Sequence, residues 1–410
     1  MEPDQISPKD KPSLHRALSL PLLTLYGLGV TLGAGIYVLV GATAALAGTF
    51  APIAFLCAAI VVGLTALSYA ELATRFPVSA GEAAYVDAGF GVRYLTLTVG
   101  LLVALSGIVS SAAVAIGAAA YLTDLVGLPI PILIVITVLV MGLLAIWGIA
   151  ESVTIAAIVT LIEVAGLVLV LAWSQLGPAE PVLPVSAVLP PFSAEAWTGI
   201  GAATILAFFA FIGFEDMANV AEEVKDPVRT FPRAVIITLL VTTILYVLIT
   251  VVVVTSVPMK ELQGSSAPLL LVFQSAPSGL RDAFAGIAVI ATLNGILIQI
   301  IMASRVVYGL ADRGFLPAIL ARVNARTRTP IIATLAIIVV VLILAQTFPI
   351  EFLAERTSQI VLLIFALVNV ALIRIKRQKS VDEAEHFNVP AFVPVCGAII
   401  SLTFFVLGFL

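Results

Sequence analysis

The chain has 410 residues, 61% of them hydrophobic and only 11% charged, with a net charge of −4. A soluble domain carries about 25% charged residues, so this composition excludes a soluble fold and describes an integral membrane protein. The near-neutral balance offers nothing to hold a nucleic acid.

The chain opens on a polar tail, residues 1–19; the apolar run that follows exceeds a signal-peptide core and no A-x-A-like cleavage site stands out, so the tail is expected to be retained. A membrane span needs about 20 apolar residues. Eleven are expected, at 20–47, 50–70, 92–121, 130–150, 153–173, 198–224, 233–256, 281–309, 330–347, 357–377 and 391–410. The spacing predicts three parts: the tail, a ten-span core over 20–377, and a loop with the eleventh span over 378–410. With the N-terminus in the cytoplasm, 17 of the 20 lysines and arginines fall on the inner face and 3 on the outer. Basic residues accumulate inside, which points to a multi-pass protein of the plasma (inner) membrane with a cytoplasmic N-terminus. Trp173 and Trp197 flank a proline-rich outer loop and read as interface anchors. Cys57 and Cys396 fall in apolar spans and read as small buried hydrophobes, and His15 and His386 carry no assigned role.

Two of the apolar runs are interrupted. The first breaks at Gly33-Ala34-Gly35 and the second at Gly213-Phe214-Glu215, 178 residues apart from Gly35 to Gly213. Loosened backbone at membrane depth survives only where it is packed in protein or lines a watery cavity. Broken helices in corresponding places of two halves are the sequence signature of a transporter's central site. The outer loop, about 174–196, divides spans 1–5 from spans 6–10. Five spans per half is an odd number, so the second half must be inverted. The expected fold class is therefore an all-α membrane protein built as a five-plus-five inverted repeat, with broken first and sixth helices.

A broken helix suits a zwitterion. The half-helix that begins after the first break presents backbone N–H groups and a positive dipole end to a carboxylate. The half-helices that end near Thr31 and Ile212 present carbonyls to an ammonium. Glycines there could instead serve close helix packing. Glu163 lies in the middle of span 5, where a carboxylate is costly and a functional candidate by default. Glu215, in the second break, could orient the unwound backbone or relay protons. Glu222 and Glu223 read as an inner gate or as surface ion pairs with Arg229 and Arg233. Thr292 and Asn294 offer either sodium ligands or interhelical hydrogen bonds. Ser106, Ser110 and Ser111 in span 3 are candidates to face a substrate side chain.

Four stretches resemble one known family. They are Thr31-Leu32-Gly33-Ala34-Gly35-Ile36-Tyr37; Ser68-Tyr69-Ala70-Glu71-Leu72 with Phe76-Pro77-Val78-Ser79-Ala80-Gly81; Phe211-Ile212-Gly213-Phe214-Glu215 running to Asp226-Pro227-Val228-Arg229; and Ser304-Arg305 through Asp312-Arg313-Gly314-Phe315-Leu316-Pro317. In this order over nearly the whole chain, they are similar to the amino acid–polyamine–organocation permeases, in their bacterial amino acid permease branch. The usual member has twelve spans, and the usual Ser-Gly-Gly after span 2 reads Ser79-Ala80-Gly81 here. The resemblance implies that backbone groups of Gly33, Ala34 and Gly35 hold a substrate carboxylate. It implies that Thr31, Phe209 and Ile212, beside Gly213, hold the amine, and that the Phe209 ring acts as a gate. It also implies ion coupling at Glu163, where some proton-coupled members carry a lysine, with Glu215 as a second candidate.

The function expected on these grounds is secondary active import of a neutral amino acid by alternating access. The coupling ion is expected to be a proton, with sodium as the alternative. An exchanger, an exporter, a polyamine carrier and a non-transporting sensor remain the competing readings. No metal-ligand cluster, nucleophile motif or phosphate loop points to an enzyme or to a cofactor.

Overall fold

The computed structural model describes residues 16, 18–77, 81–147, 153–178, 182–378 and 385–409. Most of the polar tail, Val78 to Ala80, and Lys379 in the last loop lie outside the described residues. The helices in chain order are α1 (Leu20–Leu32), α2 (Ala34–Ala47), α3 (Ala51–Arg75), α4 (Gly81–Phe90), α5 (Arg93–Val126), α6 (Ile130–Trp147), α7 (Val153–Leu176), α8 (Ala194–Phe209), α9 (Pro227–Ser256), α10 (Met259–Gln263), α11 (Ser278–Asp312), α12 (Ile331–Thr347), α13 (Ile350–Arg377) and α14 (Phe392–Leu407). No strand occurs among the described residues, only one isolated bridge between Leu18 and Val224. An all-helical chain is what a bilayer demands of open-ended segments, because each backbone N–H then finds its partner within its own helix.

Eight helical runs are long and apolar enough to cross a membrane, and three shorter apolar helices, Leu20–Leu32, Ile331–Thr347 and Phe392–Leu407, accompany them. Each of the eleven expected spans coincides with one of these elements. Span 1 is the pair α1 and α2, and span 6 is α8 followed by a 3-10 helix over Phe214–Glu223. Two short helices in the connections, α4 and α10, were not anticipated; ten and five residues long, they carry no long apolar run.

Packing between helices repeats itself with an offset of five spans. Helix α1 of span 1 packs on α9 of span 7, and α8 of span 6 packs on α3 of span 2. Span 1 touches span 5 as span 6 touches span 10 (α1 with α7, α8 with α13). Span 8 touches span 5 as span 3 touches span 10 (α11 with α7, α5 with α13). The most extensive pair, α5 with α11, joins the equivalent spans 3 and 8. This reciprocity is what two inverted five-helix halves produce when they interlock.

Outward faces are apolar. Along α6, Ile132, Ile136, Leu139, Val140 and Leu143 are exposed, and along α12 so are Leu335, Val339, Val340 and Ile343. In water such stripes would be unstable; against lipid tails they lose nothing. Polar groups are spent inside. Asn369 of α13 accepts from Ser68 Oγ at 2.7 Å and donates to Thr65 Oγ1 at 2.9 Å, tying spans 2 and 10 together. Nearer the end of α3, the fully buried Glu71 carboxylate meets Arg75 at 2.8 Å, Lys376 Nζ at 2.7 Å and the Val389 N–H at 2.8 Å. A buried anion is tolerable only when its oxygens are filled in this way.

Candidate functional site

The two breaks meet. Helix α1 stops at Leu32, Gly33 turns the chain, and α2 starts at Ala34. Helix α8 stops at Phe209, residues 210–213 form a turn, and Gly213 takes φ +123° before the 3-10 helix starts. A Cβ on Gly35 would overlap the Ala210 backbone, and one on Gly213 would overlap the Val30 carbonyl. Gly213 is thus required twice, by its left-handed φ and by its contact. Gly35 is glycine because the second break lies against it. The close-packing role that glycine can always play is therefore present here, alongside any role in exposing N–H groups.

One hydroxyl serves both breaks. Tyr246 Oη of α9 lies 2.7 Å from the Thr31 carbonyl and 2.8 Å from the Ala210 carbonyl. It has a single hydrogen, so it donates to one of them at a time, leaving the other carbonyl short of a donor. The Tyr246 ring is held edge-on by Phe211, centroids 5.1 Å apart, and by Phe55, 5.7 Å apart. Its signal in the sequence is that of a lone tyrosine in the apolar run of span 7.

The other sequence-derived residues distribute as follows. Thr31 spends its own hydroxyl on the Gly27 carbonyl at 2.7 Å, so only its main chain is available. No side chain caps the N-terminus of α2, whose first residues are Ala34 and Gly35. Phe209 is 4% exposed, and its carbonyl accepts the Ile212 N–H at 3.1 Å, leaving one lone pair. Ile212 forms part of the wall of a cavity of about 20 Å³, together with Ser106 of α5 and Gln299 of α11. Span 3 therefore does reach the second break, through Ser106. The N–H of Gly213 donates to Glu215 Oε2 at 2.8 Å. Glu215 thus holds the unwound backbone, one of the two roles expected of it.

Glu163 is fully buried on α7, at a junction of three helices. Its Oε1 accepts from Asn294 Nδ2 of α11 at 3.3 Å, and its carbonyl accepts from Tyr37 Oη of α2 at 2.9 Å. The Tyr37 carbonyl in turn accepts from Tyr121 Oη of α5 at 2.6 Å. Asn294 therefore faces the coupling candidate. The Thr292 hydroxyl is engaged within its own helix, shared between the Ala288 and Val289 carbonyls. Arg229 lies 4.0 Å from Asp226, at the exposed end of α9. Among the described residues, no group of three His, Cys, Asp or Glu side chains is placed to hold a metal ion.

Comparison with known proteins agrees with this architecture. The chain is 30% identical to the branched-chain amino acid permease BcaP of Bacillus subtilis, over 96% of this chain and 88% of that protein. It is 32% identical to the vacuolar cationic amino acid transporter 2 of Arabidopsis thaliana, over 88% of this chain and 60% of that longer protein. It is 27% identical to the methylthioribose transporter of Bacillus subtilis, over 93% of this chain and 86% of that protein. These relatives are permeases and transporters rather than enzymes. The model of the amino acid permease family matches residues 18–410. With two interlocked broken helices and a match over nearly its whole length, the chain belongs to the amino acid permease family.

Proposed function

We propose that this protein imports a neutral amino acid across the plasma membrane by alternating access, together with a proton. The observation that carries the reading is the meeting of the two breaks under the Tyr246 hydroxyl. The uncapped N-terminus of α2, with main-chain groups of Gly33, Ala34 and Gly35, supports a carboxylate site. The carbonyls of Thr31, Phe209 and Ile212 support an ammonium site, with the Phe209 ring as its lid. The serine at the cavity wall, Ser106, and the branched-chain permeases among the relatives favour a neutral side chain over the charged ones that the plant relatives are named for. The excess of basic residues on one face supports a cytoplasmic N-terminus, and with it a cytoplasmic Leu18 end.

Glu163 is the coupling residue in this reading. It links α2, just past the first break, to α7 and α11. A proton on its carboxyl changes the balance between two arrangements of these helices, and a ligand moves such a balance only through that difference. A panel of radiolabelled amino acids in proteoliposomes, under an imposed pH or sodium gradient, tests substrate and ion together. Uptake of a branched-chain amino acid driven by the pH gradient alone is expected. Glu163→Gln, which imitates the protonated side chain, is expected to keep substrate exchange and lose accumulation. Accumulation that survives in this variant, or that needs sodium, defeats the assignment.

A further inference from the structure

A second set of carboxyls lies below the site, between the second break and the end of the bundle marked by Leu18. Glu82 of α4 and Glu215 and Asp216 of the 3-10 helix line the same cavity as Ile212. Its volume, about 20 Å³, holds one water. The rest of its wall includes Met302 and Phe365. Among the described residues, no lysine, arginine or histidine lines it.

Several basic groups on the surrounding helices are committed elsewhere, and Arg305 of α11, one turn past Met302, is exposed and outside the cavity wall. Arg75 and Lys376 serve Glu71. Arg374 donates to the Gly89 carbonyl and lies over the Phe90 ring. Arg93 lies over Phe315, and Arg281 pairs with Asp124. The groups that do face the carboxyls are neutral. Tyr69 of α3 donates to Glu82 Oε1 at 3.2 Å, and Asn219 donates to Asp216 Oδ1 at a long 3.4 Å. Tyr85 of α4, fully buried, has an unpartnered hydroxyl and interacts electrostatically with Glu82.

Asp216 is 8% exposed and lines the cavity, yet no described residue bonds its Oδ2. The Gln299 amide in the same wall is also without a hydrogen bond to a described residue. Three like charges in so small and apolar a space repel one another and cannot shed that repulsion to water. Burial pushes the Glu82 carboxyl up, against the smaller opposing effect of its hydrogen bonds. The missing positive charge has to be supplied from outside the protein. The size of the cavity selects the supplier, because a lysyl chain with its ammonium does not fit where one water does.

We propose that Glu82 and Asp216, with Glu215, form a proton site distinct from Glu163, filled while the cavity is closed and emptied when it opens toward the Leu18 end. Two of the carboxyls sit on the unwound half of span 6 and the third on α4, so any separation of these elements pulls the three apart and admits water. Each neutral carboxyl then gives its proton to that water, and takes one back on closing. This extends the transport reading above, adding a second place for protons in the same cycle.

The test needs no substrate. Infrared spectra of the purified protein in lipid nanodiscs, titrated with acid and base, report the C=O stretch of protonated carboxyls. The wild type is expected to keep such a band at pH 7. Glu82→Gln and Asp216→Asn, both nearly isosteric, are each expected to lose part of it, and the double variant to lose more than either. Either single variant decides the matter if the other is not produced. A band at pH 7 that neither substitution diminishes overturns the proposal. So does its absence from the wild type; if lysine binding, measured by calorimetry, then vanishes in the double variant, the cavity holds an ammonium instead. If the band behaves as expected but the wild type moves no amino acid in proteoliposomes, the transport reading fails and the proton site stands.

Discussion

The two breaks occupy equivalent places in the two halves and are built differently. The first is one residue long. Gly33, at φ −41°, separates two α-helices, and nothing but main chain begins the second of them. The second is longer. The chain turns over 210–213, passes through a left-handed Gly213, and continues as a ten-residue 3-10 helix. Its first donor, the Gly213 N–H, is already taken by Glu215. On the proposed reading the first break keeps its donors for a ligand, while the second, its Gly213 donor filled from within, offers carbonyls. This division fits a zwitterion, whose carboxylate needs donors and whose ammonium needs acceptors. Identical breaks would recognise one end of the molecule twice.

The largest expected effect tests how far the second break depends on its left-handed turn. Gly213→Ala adds a Cβ into the Val30 carbonyl at φ +123°. Overpacking and the left-handed strain together cost about 3 kcal/mol or more. Thermal stability in detergent, followed by size-exclusion chromatography, is expected to collapse with transport. A variant as stable as the wild type means that the two breaks do not press on each other.

A smaller effect bears on the filled donor. Glu215→Ala leaves the Gly213 N–H without its partner, and a buried unsatisfied donor costs about 2 kcal/mol. Glu215→Gln retains an acceptor oxygen and is expected to recover most of that loss. Full stability in the alanine variant, on the same thermal assay, removes the contrast in how the two breaks treat their donors.

The all-helical fold, the eleven spans and the two breaks are legible in the sequence because each rests on local composition. An apolar run of span length can only be a helix in lipid, and glycine within it, a pair at the first break and Gly213 beside a glutamate at the second, marks a place where the helix yields. Glu163 is legible for the same reason, as a charge in an apolar run. What is illegible depends on contacts across the chain. Tyr246 meets Thr31 over a separation of 215 residues. Glu82 meets the second break only because α4 folds back beneath span 6, and α4 is too short and too mixed to stand out. The 3-10 geometry after Gly213 also escapes notice, since the pattern of apolar residues there fits an α-helix nearly as well.

The smallest effect is the most discriminating for the comparison, because it asks whether the first break is as tightly constrained as the second. A Cβ on Gly33 would find its nearest neighbours, the Gly29 and Val30 carbonyls, at 3.9 Å, an ordinary contact. Its φ of −41° is negative, so Gly33→Ala meets none of the left-handed strain that Gly213→Ala meets. The expected loss of stability is under about 1 kcal/mol, within the range of a surface substitution or a glycine-to-alanine change in the chain's favour. Binding is another matter. The added methyl group stands at the entry to the α2 N-terminus, where a substrate carboxylate would approach. The variant is therefore expected to fold, reach the membrane and melt like the wild type, while its KM for the transported amino acid rises. Gly33→Ala with unchanged KM places the carboxylate elsewhere. Gly33→Ala that unfolds places the first break under the same packing constraint as the second, and the asymmetry between an open and a filled break disappears.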